Sequence, residues 1–127
     1  MNGIILVGVG SFLGGILRYG LSVWVHRILD NPWFPFGTLA VNVFGCLVIG
    51  FLAGIAEERA AFTPDLRLFL FVGVIGGFTT FSSFALETFS LARDTQSVAA
   101  LANVGLQLGM GLLSVWLGNI LAHAIGG

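Results

Sequence analysis

Four long apolar stretches, joined by short polar connections, organise this chain. They run from about Ile4 to Val25, Phe36 to Ala56, Leu66 to Ala92 and Val98 to Ala124. Each reaches the roughly 20 residues that a helix needs to cross the ~30 Å hydrocarbon core of a bilayer. Asp30-Asn31-Pro32-Trp33 reads as a turn, with Trp24 and Trp33 suited to one membrane interface. Thr63-Pro64-Asp65 reads as an N-cap, a proline at the first helical position and an acid in the first turn. Arg93-Asp94-Thr95 is so short a connection that the helices on either side of it must be antiparallel neighbours. The pattern predicts an all-α integral membrane protein: four transmembrane helices in one domain spanning residues 1–127.

The third stretch departs from a plain span. Twenty-five residues between Arg67 and Arg93 carry no Lys or Arg, yet their centre holds Gly76-Gly77, Thr79-Thr80, Ser82-Ser83 and Glu87. A continuous helix of that length would run about 38 Å, longer than the apolar core. Tilting or breaking resolves the mismatch, and the Gly-Gly pair followed by β-branched threonines favours a break between about Gly76 and Thr80. Such polarity is tolerated at mid-membrane only where protein or an aqueous path surrounds it.

Composition supports the membrane reading. The chain is 57% hydrophobic and 9% charged, against roughly 25% charged in a soluble domain. No Lys or Arg precedes the first apolar run, and that run outlasts a signal peptide, so a span rather than a cleaved leader is expected. The single Cys46 allows no intrachain disulfide or cysteine metal cluster. His26 and His123 lie near span ends with no ligand spacing. No phosphate loop, nucleophile elbow or basic nucleic-acid patch is visible, so neither enzyme chemistry nor nucleic-acid binding is expected. Glycine is abundant, 19 of 127 residues. Gly10/Gly14, Gly50/Gly54 and Gly105/Gly109 form small-xxx-small patterns that let helix backbones approach closely in lipid.

Charge changes the picture once more. With alternating spans, one side of the membrane holds Arg59 and Arg67 and the other holds Arg27 and Arg93. The tie gives no preferred orientation under the positive-inside rule. Insertion in both orientations, as an antiparallel homodimer, follows unless a terminus or a partner settles the matter.

Several polar residues stand inside the spans. Arg18 is either a snorkelling side chain or the cation of a wet vestibule. Glu87 is a proton carrier, a cation site or a hydrogen-bonding group. Asn42 offers two amide donors that suit a carbonyl or a small anion, or else acts as interhelical glue; Thr38, four residues earlier, shares its face. Phe81 and Phe84, extended by Phe78, form an aromatic stripe. It either packs a core or presents positive ring edges to an anion, with the Ser82 and Ser83 hydroxyls beside it. Asn103, Gln107, Gly111 and Ser114 share a face of the fourth helix, as a donor-lined path or as a helix contact. A break near Gly76 to Thr79 would free carbonyl oxygens of the kind that hold Na⁺ in broken-helix membrane proteins.

These residues assemble into a family resemblance. Gly14-Gly15-x-x-Arg18-Tyr19, Gly37-Thr38-Leu39-x-Val41-Asn42-x-x-Gly45 and Gly76-Gly77-x-Thr79-Thr80-Phe81-Ser82-Ser83-Phe84 resemble the CrcB/Fluc fluoride channels over essentially the whole chain. The resemblance implies an antiparallel dual-topology homodimer in a prokaryotic plasma or inner membrane. It implies passive, selective export of toxic fluoride through two pores lined by both subunits. It makes Asn42 the pore asparagine, Phe81 and Phe84 the phenyl pair, and Ser82 and Ser83 added hydroxyls. Gly76 and Thr79 would give backbone carbonyls to a structural Na⁺ on the two-fold axis, and Arg18 would be the family's first-helix arginine. The family often has Thr at the Ser83 position and hydroxyl residues near Gly111 and Val115; the latter are missing here, with Ser114 nearby. The alternatives are a small dual-topology, proton-coupled multidrug exporter and a non-transporting scaffold. The exporter needs an acid in the first helix, which carries Arg18 instead; a scaffold has no need of the Phe-Ser-Ser-Phe and Asn chemistry.

Overall fold

In a computed structural model the structure describes residues 2–60 and 62–126, and these are almost wholly helical. Helix α1 (Asn2–Ile28) leads through the 29–35 turn to α2 (Phe36–Arg59). The third stretch is composite: a first turn α3 (Pro64–Arg67), a π-helical segment (Leu68–Ile75), a short α4 (Gly76–Phe78) and then α5 (Phe81–Arg93). Helix α6 (Ser97–Gly126) completes the chain. The four stretches are each long and apolar enough to cross a membrane, and the helices extend a few residues beyond the apolar runs read from sequence.

Local chemistry accounts for the ends. The Thr63 hydroxyl accepts from the Leu66 N–H at 3.1 Å with Pro64 opening the helix, as the sequence predicts. Asp30 and Asn31 adopt positive φ of 58° and 51° in the first turn, where short polar side chains tolerate the left-handed region. Thr80 caps α5 by accepting from the Ser83 N–H at 3.2 Å.

Helix geometry stops at Thr79 (φ −82°, ψ 158°) and Thr80 (φ −148°, ψ 116°) and resumes at Phe81. Within the stretch 76–80, Gly76 to Phe78 are helical and the departure is confined to the two threonines. The wider π-helical winding just before them was not legible in the sequence. It lies where α1 and the third stretch meet backbone to backbone. A Cβ on Gly14 would stand 2.1 Å from the Val74 carbonyl oxygen, and one on Gly77 would stand 2.7 Å from that of Ser11.

Helices α2 and α6 share the longest contact of the bundle. Glycine again permits it. A Cβ on Gly50 would come within 2.2 Å of the Val115 carbonyl oxygen, and one on Gly118 within 2.2 Å of that of Leu47. Gly10/Gly14 and Gly50/Gly54 are thus true close-approach sites. Gly105 and Gly109 are not: nothing lies within 4 Å of either. The buried face of α6 is instead Ala100, Asn103, Gln107, Gly111, Ser114, Gly118 and Ala122.

Buried apolar side chains are few; Phe34, Leu39, Leu91 and Ala100 form one small cluster near the first turn. Large apolar residues point outward instead, among them Phe12, Tyr19, Phe81, Leu101 and Leu112. That inversion suits lipid or a partner subunit as the surrounding medium, since lipid tails cover such side chains without cost.

Candidate functional site

The two extended threonines organise the polar interior. In a continuous helix the Thr80 N–H would bond the Gly76 carbonyl. Here it donates to Asn42 Oδ1 at 2.8 Å, while Asn42 Nδ2 donates back to the Thr80 carbonyl at 3.0 Å. The Asn42 amide thus pairs with the Thr80 residue as a neighbouring strand would, and satisfies both of its backbone groups. The second Nδ2 hydrogen serves Gln107 Oε1 at 3.0 Å. One side chain of α2 thereby joins the interruption to α6. Both amide hydrogens of Asn42, which the sequence offered to an anion or a carbonyl, are committed inside the protomer.

A cavity of about 310 Å³ opens beside this junction. Asn42, Thr79, Thr80, Phe81, Phe84 and Gln107 contribute to its wall, together with apolar residues of α2 and α6. The Phe81 and Phe84 rings meet in edge fashion, centroids 5.5 Å apart at 64°. Phe84 is buried, whereas Phe81 is 76% exposed and has its outer face uncovered within one protomer. Ser82 and Ser83 lie at the start of α5. The Thr80 hydroxyl donates to Ser83 Oγ at 3.1 Å and stands 3.4 Å from Ser82 Oγ.

A second, smaller cavity of about 190 Å³ is lined by Arg18, Thr38, Ser83 and Glu87 among others. Arg18 Nε donates to the Gly77 carbonyl at 3.2 Å, at the C-terminal end of α4 where carbonyls lack helical partners. The half-buried guanidinium is therefore anchored at the interruption. Thr38 Oγ1 donates to Glu87 Oε2 at 3.0 Å, so Thr38 and Asn42 both tie α2 to the segment around α5. Asn103 is fully buried and donates to Thr88 Oγ1 at 2.9 Å, and Thr88 in turn donates to the Phe84 carbonyl at 2.8 Å. Ser114 is buried further along the same face of α6. Of the four α6 positions read from sequence, only Gln107 reaches the wall of the larger cavity; the rest lie in helix contacts.

The donors available to a cation are backbone carbonyls. Among the described residues there is no group of three His, Cys, Asp or Glu that could hold a metal. Gly76 has lost the Thr80 N–H as a partner, lies on the exposed surface of the protomer, and has nothing closer to its would-be Cβ than the Phe71 carbonyl oxygen at 3.6 Å. Thr79, being extended, turns its own carbonyl out of the helical ladder.

Sequence comparison bears on what such an arrangement serves. A family model described as CrcB-like protein, Camphor Resistance (CrcB), matches residues 5–119. The chain belongs to the CrcB-like family. A fluoride-specific ion channel FluC of Rhizobium meliloti (strain 1021) is 42% identical over 98% of this chain and 99% of its own length. Proteins of the same description from Nitratidesulfovibrio vulgaris and Parabacteroides distasonis are 44% and 46% identical over 93% and 96% of this chain. With its four apolar helices, the CrcB-like chain is a multi-pass protein of a prokaryotic cell membrane.

Sequence reasoning missed Thr80 in this CrcB-like site. It is the residue that Asn42 grips, and it also caps α5. Its signal was present: a threonine directly before the Phe81 run and after Gly-Gly-x-Thr is an N-cap residue type at a helix start. Thr88, the link between Asn103 and Phe84, carried no comparable signal.

Proposed function

We propose that this protein is a passive fluoride channel that exports the toxic ion through two pores built by an antiparallel, dual-topology homodimer. The observation that carries this reading is the larger cavity. It joins the edge-paired Phe81 and Phe84 rings to the Asn42–Thr80 junction in a chain whose relatives are fluoride-specific channels.

The chemistry follows from what fluoride needs. The ion is small and strongly hydrated, so a pore must replace its water with several weak donors and still release it. Phenyl ring edges carry positive quadrupole potential without a full charge. The Ser82 and Ser83 hydroxyls add donors at the start of α5. No acid or base is required to make or break a bond, and passive conduction is transport without catalysis. Phe81, exposed in one protomer, gains its second wall from the partner subunit. The tie between Arg59 and Arg67 on one side and Arg27 and Arg93 on the other supports insertion in both orientations.

Around the two-fold axis, the Gly76 and Thr79 carbonyls of both subunits would hold a structural Na⁺. They are hard oxygen donors of the kind this cation takes, and the residues present fit it, since Gly76 is exposed and uncrowded. The ion would supply positive charge to join the subunits where their helices are interrupted.

Efflux of fluoride from loaded proteoliposomes, followed with a fluoride electrode, tests the function. Rapid release on adding the protein supports it, and release no faster than from protein-free vesicles overturns it.

A further inference from the structure

Polar side chains recur every four residues along the second half of α1: Arg18, Ser22 and His26. That spacing places all three on one face of the helix. Arg18 and Ser22 line the smaller cavity, across from Thr38 and Glu87. His26 lines a further cavity of about 460 Å³, together with the turn at 32–35, Glu87, Ser90 and Asp94. Glu87 belongs to both of these cavities, and Thr80 to both the smaller one and the one at Phe81 and Phe84. Three cavities thus follow one another from the interruption to the end of α1, and the stripe runs along two of them.

His26 stands at the outer end of this succession, half-buried. Its ring lies against Gly37 of α2, where a Cβ would stand 2.8 Å from Nε2 and 2.5 Å from Ser22 Oγ. Glycine at that point lets α2 pass this close to the stripe. Among the described residues the imidazole makes no side-chain hydrogen bond or ion pair. His123, by contrast, is engaged by the Asn119 carbonyl at 2.8 Å and by Glu58 at 3.2 Å. The charged groups around His26 are few. Glu87 and Asp94 face it across the cavity, and α2 presents only Gly37 and Thr38 there. The first turn adds the exposed Asp30, and α1 itself carries Arg18 and the exposed Arg27. With a neutral imidazole the two cavities hold one cation, Arg18, against two carboxylates. An imidazolium balances them.

We infer that His26 sets the entry of fluoride into this path: its protonated ring draws the anion into the outer cavity past Glu87 and Asp94, and its neutral ring leaves their repulsion unopposed. This deepens the channel reading and rests on it. Histidine is the side chain that ordinarily changes charge between pH 5 and 8. It is the protonated form that attracts, so flux falls as pH rises through that range. A half-buried site at the membrane surface keeps the attraction moderate, so the ion is drawn in without being trapped. One unit of charge several ångströms from the ion, partly screened by water, changes flux by about threefold to tenfold.

The test is fluoride efflux from proteoliposomes held at the same pH inside and out, at pH 6 and at pH 8. The rate of protein-free vesicles is subtracted at each pH, which removes the leak of neutral HF. The parent should conduct about threefold to tenfold faster at pH 6. His26→Gln, with the parent's gel-filtration profile, should conduct at the parent's pH 8 rate at both values. His26→Lys, charged throughout, should conduct at or near the parent's pH 6 rate at both. A parent rate that does not change with pH overturns the inference. So does a folded His26→Gln protein that keeps the parent's pH dependence, since the titrating group is then Glu87 or Asp94. A further readout checks that the path is wet: Ser22→Cys in a Cys46→Ser background should react with a small charged thiol reagent added in water. A Ser22→Cys protein that stays unreactive until it is denatured contradicts the path. If the parent does not conduct fluoride at either pH, the channel reading fails; if it conducts and His26→Gln leaves its pH profile unchanged, only this inference fails.

Discussion

Replacing Asn42 by aspartate changes one NH₂ group into an oxygen, and the structure says what that does. Oδ1 can still accept the Thr80 N–H held at 2.8 Å. The other oxygen now faces two acceptors, the Thr80 carbonyl and Gln107 Oε1, each 3.0 Å from the present nitrogen. Gln107 relieves its half of the conflict by rotating its amide, which turns Nε2 onto the new carboxylate. The Thr80 carbonyl cannot rotate, and a buried acceptor that loses its donor costs about 1–3 kcal/mol. The charge matters more. A carboxylate and a fluoride about 5 Å apart repel by roughly 3 kcal/mol at an effective dielectric of about 20. At about 1.4 kcal/mol per factor of ten, occupancy of the cavity falls more than about a hundredfold. Asn42→Asp should therefore keep the parent's gel-filtration profile, with a lowered melting temperature, and release fluoride from proteoliposomes no faster than empty vesicles. A folded Asn42→Asp protein whose fluoride flux stays within about twofold of the parent would refute both the site and the sign of the argument.

Further expectations follow from the same geometry. Phe81→Ile and Phe84→Ile keep most of the apolar volume and lose the ring quadrupole, so each should reduce flux strongly; only Phe84→Ile, at the buried ring, should also lower stability, by about 1 kcal/mol. Gly118→Ala should destabilise by about 1–3 kcal/mol or more, because its Cβ would meet the Leu47 backbone at 2.2 Å, whereas Gly105→Ala meets nothing in the protomer and should melt at or slightly above the parent temperature. A single cysteine placed in the 29–35 turn of a Cys46→Ser background should be labelled about equally from both faces of the membrane; labelling from one face alone excludes dual insertion. Replacing Na⁺ by a large organic cation should lower the melting temperature of the protein if the proposed Na⁺ binds at Gly76 and Thr79, and unchanged melting would argue against it.

The spans were legible because apolar length alone reports them, and the cap at Thr63 because its chemistry is local. The polar residues that matter were also visible one by one, since each breaks an apolar run. What could not be read was their pairing. Asn42 meets Thr80 and Gln107, 38 and 65 residues away, and no local pattern encodes such partners. The same limit explains the glycines of α6. Spacing proposed Gly105 and Gly109, but burial of Asn103 and Gln107 fixes the rotation of that helix and brings Gly111 and Gly118 inward instead. The π-helical winding of Leu68–Ile75 has no sequence period of its own in a uniformly apolar run. It shows only where the Gly10 and Gly14 backbone contacts shape the neighbouring chain.

The central claim is that the cavity at Phe81, Phe84 and Gln107 conducts fluoride and rejects larger halides. The most direct measurement loads one batch of proteoliposomes with fluoride and a matched batch with chloride. Efflux from each is then followed with ion-selective electrodes while valinomycin carries K⁺ to balance the charge. Fast, complete fluoride release is expected, with chloride retained as it is in protein-free vesicles. Fluoride retained at the protein-free level, or chloride released as fast as fluoride, would contradict it.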